Sequence, residues 1–191
     1  PDHPATAAGA GGGRGHQHDR ARAFDAQADL VWRLERRGHA AVDSPADAEV
    51  LRNQRDIRRA PDVARNADVA LLGVGNLNPD QSGFVKGGFL TPEELAALVA
   101  DGAVGDMGGH IFTIDGRLYN KQYDDRIIGV TLDDFKDITT TIVVATGQDK
   151  TEAILGALRT GAVSVLVTDD RTASSILAVN KTLALENAND K

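Results

Sequence analysis

The sequence predicts an α/β fold in which an open, mostly parallel sheet is flanked by helices, and three observations carry that prediction. Short, nearly continuous apolar runs, DVALLGV at 68–74, TIVVAT at 141–146 and VSVLVT at 163–168, have the length and composition of strands in a parallel sheet. The last two enclose the turn GQDK at 147–150 and a helical stretch that runs to Thr160, with Gly161 as its stop. They therefore read as a strand–helix–strand crossover, which makes a parallel pair. Apolar residues are 41% of the 191 and aromatics only 4%, so the core has to be built from closely layered Ala, Val, Leu and Ile. Together these features describe a Rossmann-like architecture of one domain plus a short extension.

The elements follow in order along the chain. Residues 1–22 hold Gly9, Gly11, Gly12, Gly13 and Gly15 among Ala, His, Asp and Arg with no apolar period, which reads as a disordered tail. His3, His16 and His18 in it could take up a metal opportunistically, but they read as solvated side chains of a tail. From Phe24 the pattern becomes helical, with Leu30, Val31 and Leu34 on one face and Gly38 placed as a stop. Residues 46–67 are charged and helix-compatible, and Pro61 is expected to break that helix or open a second one. The strand at 68–74 is expected to be buried on both faces. Thr91, Pro92, Glu93 and Glu94 then supply an N-cap, a first-turn proline and a capping-box acid, ahead of the apolar face Leu95, Leu98 and Val99. In GDMGGHIFTIDGRLY at 105–119, Asp115-Gly116 is a hairpin signal. After the crossover, Asp169, Asp170 and Thr172 offer caps for a last helix carrying Ala173, Ile176 and Leu177, and 186–191 reads as a frayed end. The folded domain is thus expected at 23–185.

Charge and composition exclude several functions. Lys and Arg total 21 against 28 Asp and Glu, a net −7, which opposes approach to a polyanion. Arg52, Arg55, Arg58 and Arg59 are interleaved with acids and form no uniform basic stripe. No Cys is present, which removes disulfides, thiol nucleophiles and Cys-ligated zinc and fits a reducing, cytoplasmic setting. No apolar run approaches the roughly 18 residues that span a bilayer, and the amino end is Gly-rich where a signal peptide needs an apolar segment. A Ser-His-Asp arrangement, metal-ligand spacing and a nucleotide-binding glycine motif are all missing, so no catalytic residue, metal or cofactor is assigned.

In an open parallel sheet ligands bind beyond the carboxyl ends of the strands, which directs attention to GVGNL at 73–77, ATGQDK at 145–150 and VTDD at 167–170. In the second of these a helix opens with free N–H groups and a positive dipole end, Gly147 admits a ligand to the backbone, and Lys150 adds a mobile cation. That set suits a phosphate or carboxylate; the plainer reading is a glycine turn, an Asp149 cap and a solvated lysine. Asp106 lies among Gly105, Gly108 and Gly109, where its carboxylate has room to accept hydrogen bonds from sugar hydroxyls or serve as a turn aspartate. His110 has the right chemistry for acid–base work, though its place at the mouth of a strand favours a packed or solvated side chain.

Taken in order, NADVALLGVGNL, FLTPEELAALVADGAVGDMGGHIFTIDG, DDRIIGVTLDDF and VVATGQDKTEAILGALRTGAVSVLVTDDRTASSIL resemble the effector-binding domain of the SorC family of bacterial sugar-responsive transcriptional regulators, from about Phe24 to about Leu177. The resemblance implies a fold similar to the clan of ribose-5-phosphate isomerase and glucosamine-6-phosphate deaminase, with the pocket sensing a phosphorylated sugar instead of turning it over. It places Lys150 in a Gly-x-x-Lys turn with Gly147, facing the effector phosphate, and Asp106 at the acidic position of an Ala-Val-Gly-Asp segment against sugar hydroxyls. Gly75 falls at the strand end beside them. Lys86 falls near a basic effector-contacting position, and Gln27 near the Asn or Gln that opens a Leu-Val-x-Arg-Leu helix. A homo-oligomer is implied as well. Family members begin with a helix-turn-helix and a Gly/Ser/Thr-rich phosphate loop, and residues 1–22 contain neither, so DNA recognition is not assigned to these residues and one wall of the effector site is expected to be truncated. Two alternatives stand beside this reading: a sugar-phosphate isomerase or deaminase using Asp106 or His110 as a proton carrier, and an oligomerising remnant without ligand.

Overall fold

The computed structural model describes residues 41–189. The expected tail at 1–22, the expected helix from Phe24 to Gly38 with Gln27 in it, and the last two residues lie outside the described residues.

The described chain enters as an extended segment, in which Ala41 bridges to Ile127 and the Val42 N–H donates to the Arg126 carbonyl. Helix α1 (Pro45–Arg52) starts on Ser44, whose hydroxyl accepts from the Asp47 N–H at 3.2 Å. Its last residue, Arg52, ties back by donating to the carbonyls of Asp125 and Ile127. Helix α2 (Arg55–Arg65) follows after Asn53 and Gln54, so the break between the two helices falls there and Pro61 lies inside α2. Pro61 was the residue expected to break or open a helix. It neither ends nor opens a helix: the break falls at Asn53, the C-cap of α1, and the 11 residues of α2 run on through Pro61 to Arg65.

Strand β1 (Val69–Leu72) pairs in parallel with β5 (Thr140–Val144), which pairs in parallel with β6 (Val165–Val167), giving the order β1-β5-β6. Ala70, Leu72, Val143 and Leu166 face the main core. The opposite face is open among the described residues: Val69 and Leu71 are about half exposed, which corrects the expectation of a strand buried on both faces. A continuous apolar run signals a strand with two apolar faces, and it cannot report whether both are covered.

The chain then leaves this sheet. β2 (Gly75–Asn76), β3 (Ala103–Met107) and β4 (His110–Thr113) form a second, antiparallel sheet in that order. The hairpin turn is Gly108-Gly109, two residues with φ of 62° and 86°, a conformation open to glycine. Asp115-Gly116 closes a shorter return beyond it, in which Phe112 bridges to Leu118. Between β2 and β3 come a single helical turn, α3 (Gly83–Lys86), and α4 (Pro92–Ala100), which has the full capping box: Thr91 Oγ1 accepts from the Glu94 N–H, and Glu94 Oε2 accepts from the Thr91 N–H. Leu95 and Leu98 bury against Leu77, Leu90, Ala103 and Ile111 in a smaller second core.

After β4 come α5 (Lys121–Asp124) and α6 (Leu132–Asp137), the latter opened by a second capping box from Thr131 and Asp134. The crossover is as expected: β5, a 3-10 turn (Gln148–Lys150), α7 (Thr151–Arg159) and β6. Six of the nine residues of α7 are buried, because Ile154 and Leu155 join the main core with Val143 while its other side meets β3. That second contact is close enough that a Cβ on Gly105 would sit 2.5 Å from the Ala153 Cβ. Helix α8 (Asp170–Asn189) ends the described chain.

Candidate functional site

The ends of β1, β5 and β6 lie at one edge of the parallel sheet, and the loops leaving them bring distant residues together. After β1, the backbone turns through Val74 into β2, so that Gly75 pairs with Asp106 across the antiparallel sheet. The Asp106 carboxylate fills the space over Gly75, where a Cβ would come 2.1 Å from Asp106 Oδ1. Glycine at position 75 therefore leaves the space that the Asp106 carboxylate occupies in this rotamer. After β5, the Gly147 turn swings Lys150 back across the sheet end, and its Nζ donates to the Val74 carbonyl at 3.0 Å. Four of the residues singled out in the sequence, Gly75, Asp106, Gly147 and Lys150, thus meet in one place.

The electrostatics of Asp106 follow from this setting. Burial pushes its carboxyl from the ordinary 3.8 up to about 6, although the Gly109 N–H, His110 and Lys150 all pull the other way. His110 itself is committed. Its Nδ1 meets the Asp124 carboxylate, its Nε2 lies 2.7 Å from the Val130 carbonyl, and the side chain is buried, which selects the packed reading over a free acid–base group.

The Gly147 N–H donates to Thr172 Oγ1 at 2.9 Å, and that hydroxyl donates onward to Asp169 Oδ2. The Thr172 N–H also donates to Asp169 Oδ1, and these bonds hold the Asp169 carboxyl below the usual carboxylate range. The N-terminus of α8 therefore fixes the turn that aims Lys150. Anion-binding capacity at this turn rests on Lys150 and on the N–H groups that open the 3-10 turn and α7.

Asn76 was not legible as a site residue. It is buried, and its Nδ2 donates both to Asp149 Oδ2 at 2.8 Å and to Gln81 Oε1 at 3.0 Å. Asp149 is thus bound to β2, and it does not cap α7, whose first turn has no side-chain cap. The only sequence signal for Asn76 is its position just after Gly-x-Gly at a strand end. Lys86 joins this chain at its rim, with Nζ donating to the Gln81 carbonyl at 3.3 Å, and it remains exposed. Gln27 lies outside the described residues. Among the described residues no group of three His, Asp or Glu side chains is placed to hold a metal, and no helix is long and apolar enough to cross a membrane.

Chemically, the site gathers a cation, a helix N-terminus and the Asn76–Asp149 bond at one turn, with the Asp106 carboxylate near enough to feel the lysine's charge, a set with the chemistry to hold a small anionic ligand.

Comparison with known proteins gives concordant results. A family model described as "Putative sugar-binding domain" matches residues 38–178. Transcriptional regulator LsrR from Enterobacter sp. (strain 638) is 31% identical over 140 residues, covering 72% of this chain and 43% of the regulator. The deoxyribonucleoside regulator of Bacillus subtilis is 33% identical over 128 residues, covering 67% of this chain and 40% of that protein. The chain therefore spans less than half the length of these relatives. Among solved structures, one described as the "Putative Sugar-Binding Domain of Transcriptional Repressor from Vibrio fischeri" superimposes with a TM-score of 0.67 at 34% identity, over 74% of this chain and 56% of that one. The full-length sorbitol operon regulator SorC from Klebsiella pneumoniae gives 0.64 at 26% identity, over 72% and 44%.

Proposed function

The chain belongs to the sugar-binding-domain family that its residues 38–178 match, and from that premise we propose that it is a non-catalytic effector domain that senses a phosphorylated sugar on behalf of a bacterial transcriptional regulator in the cytoplasm. The observation that carries this reading is the convergence of Lys150 and Asp106 on the β1–β2 passage, one bonded to the Val74 carbonyl and the other seated over Gly75, where the lysine's charge acts on the carboxyl. In the proposal Lys150 and the N-terminal turn of α7 take the phosphate, Asp106 accepts from sugar hydroxyls, and Lys86 and Gln27 contribute at the rim. The commitment of both ring nitrogens of His110 to Asp124 and Val130 supports binding over turnover by removing one of the two candidate proton carriers. The fold relation to the ribose-5-phosphate isomerase clan is part of the same proposal, as are the domain limits 23–185 and a homo-oligomeric state. DNA recognition is assigned to a helix-turn-helix outside these residues.

Isothermal titration of the chain against sugar phosphates and the matching free sugars tests the proposal. A preference for the phosphorylated members is expected. Equal affinity for both classes overturns the phosphate assignment, and sustained aldose–ketose turnover overturns the non-catalytic one.

A further inference from the structure

The partners of His110 constrain its charge. A neutral imidazole has one N–H donor and one bare acceptor nitrogen. Both partners here are acceptors: the Asp124 carboxylate at Nδ1 and the Val130 carbonyl, 2.7 Å from Nε2. The side chain is 3% exposed, so neither nitrogen can turn to solvent instead. Two acceptors call for two donors, and a ring with a proton on each nitrogen is a cation. Asp124 supplies the counter-charge, because between a carboxylate and an imidazole the proton belongs to the imidazole, the stronger base by roughly a hundredfold or more.

That ring stands behind Asp106. Met107 pairs with His110 across the hairpin, and the Gly109 N–H donates to the Asp106 carboxyl, so the turn that holds the acid ends at the clamped histidine. The clamp is itself pinned. Arg52 donates to the carbonyls of Asp125 and Ile127, and Arg126 Nε donates to the Val42 carbonyl, which fixes the segment that follows Asp124. The other charged groups of α5, α6 and the loop between them are engaged elsewhere: Lys121 with Asp125, Arg126 against the rings of Phe89 and Tyr123, Lys136 with Asp133, and Arg65 with Asp134.

Two cations act on Asp106, His110 and Lys150. In the proposed function Lys150 goes to the phosphate, and an anion there opposes a second negative charge at Asp106. His110, buried and bonded at both nitrogens, keeps its charge for the acid. We propose that His110 is a positioning residue for Asp106: held doubly protonated by Asp124 and the Val130 carbonyl, it fixes the turn that bonds the acid and supplies the buried positive charge that keeps it an anion while a phosphorylated ligand occupies Lys150. The ligand half of this statement rests on the proposed sugar-phosphate function; the charge of the ring and its effect on Asp106 do not.

Two spectra of the ligand-free chain test the charge. Nitrogen-15 spectra at pH 7, with His110 assigned through its backbone, should show an N–H on both ring nitrogens. A single ring N–H overturns the proposal and needs no variant. Carbon-13 titration then follows the Asp106 carboxyl, at about 6 in the parent. In His110→Gln, whose amide offers two donor hydrogens but no charge, that midpoint should rise by about one pH unit. An unmoved midpoint also overturns the proposal.

Binding separates charge from packing, with the probe being whichever pentose or hexose monophosphate binds the parent most tightly. At pH 6 Asp106 is about half ionised in the parent and about a tenth in His110→Gln, so affinity should fall about fivefold there and hardly at all at pH 8. The ligand's own phosphate titration is common to both proteins and cancels. An equal loss at both pH values reduces His110 to a structural role and refutes its action through charge. If the parent binds none of these phosphates, the sugar-phosphate function fails, and the two spectra still decide the charge of the ring.

Discussion

Replacing Asp106 with Asn isolates the energetic cost of the acid in this site. Its carboxyl is raised from 3.8 to about 6, chiefly by burial. Between those two values the folded chain holds a proton that the unfolded chain has released, so stability falls as pH rises through that window and stays low above it. About two pH units correspond to roughly 3 kcal/mol, an upper figure because the residue keeps partial access to solvent. Asn retains the shape without the charge. Asp106→Asn should therefore be more stable than the parent by up to about 3 kcal/mol at pH 8 and by nearly nothing at pH 4. With a urea slope of about 2 kcal/mol/M, the midpoint at pH 8 moves up by about 1–1.5 M. The same variant should bind a phosphorylated sugar more weakly by tenfold or more, since hydrogen bonds to a charged acceptor contribute roughly 1.5–3 kcal/mol. Urea melts at four pH values between 4 and 8, run beside titration calorimetry, measure both. Parallel pH profiles for the two proteins would refute the assignment of a carboxyl raised by burial, and unchanged affinity would refute its role toward ligand.

Lys150→Ala should weaken binding of a phosphorylated sugar by about 10- to 150-fold, the loss of one charge-assisted contact, with little change for the free sugar; calorimetry on the matched pair reads the difference. Thr172→Val leaves the Gly147 N–H without its acceptor and should cost about 1–3 kcal/mol in urea melts, while loosening the turn that aims Lys150. Gly105→Ala pushes a methyl group to 2.5 Å from the Ala153 Cβ and 2.9 Å from the Gly75 carbonyl, both on packed elements, and should cost about 1–3 kcal/mol by overpacking. Gly75→Ala meets only the end of the Asp106 side chain, which can rotate, so it should preserve the fold and cut ligand affinity; an equal loss of stability in both glycine variants contradicts that distinction.

What could be read from the sequence was mostly local. The crossover from Thr140 through Val167 is encoded by apolar runs, a turn and a helix stop within thirty or so residues, and the capping box at Thr91 within four. Lys150 and Asp106 were legible because each stands in a motif with a glycine beside it. The bond between Asn76 and Asp149 joins residues 73 apart in sequence, and nothing in either neighbourhood announces the other. Gly147 stands out in the sequence as a residue that admits a ligand to the backbone; that its own N–H is held by Thr172, a residue whose pattern suggests only a cap, is a tertiary fact. The hairpin turn at Gly108-Gly109 was passed over in favour of Asp115-Gly116, because the glycines had been read as space around Asp106. Pro61 misled for a different reason: a proline's position restricts a helix, while the end of α1 was set by Asn53. The open face of β1 is a tertiary property, since a strand's pattern records which residues are apolar and not what lies over them.

Helix α7 touches both sheets, with Ile154 and Leu155 in the main core and Ala153 against Gly105. The consequence is kinetic. Neither sheet can separate from the molecule without stripping one side of this helix, so the two behave as a single cooperative unit despite their different strand directions. Amide hydrogens of α7, β3 and β5 should exchange together, at rates set by global opening, while α1 and the end of α8, which rest on one side only, exchange through local fraying. The turn that carries Lys150 joins β5 to α7, so it is held at both ends by the slowest-opening part of the chain, and a ligand arriving at that edge meets a site already held in shape.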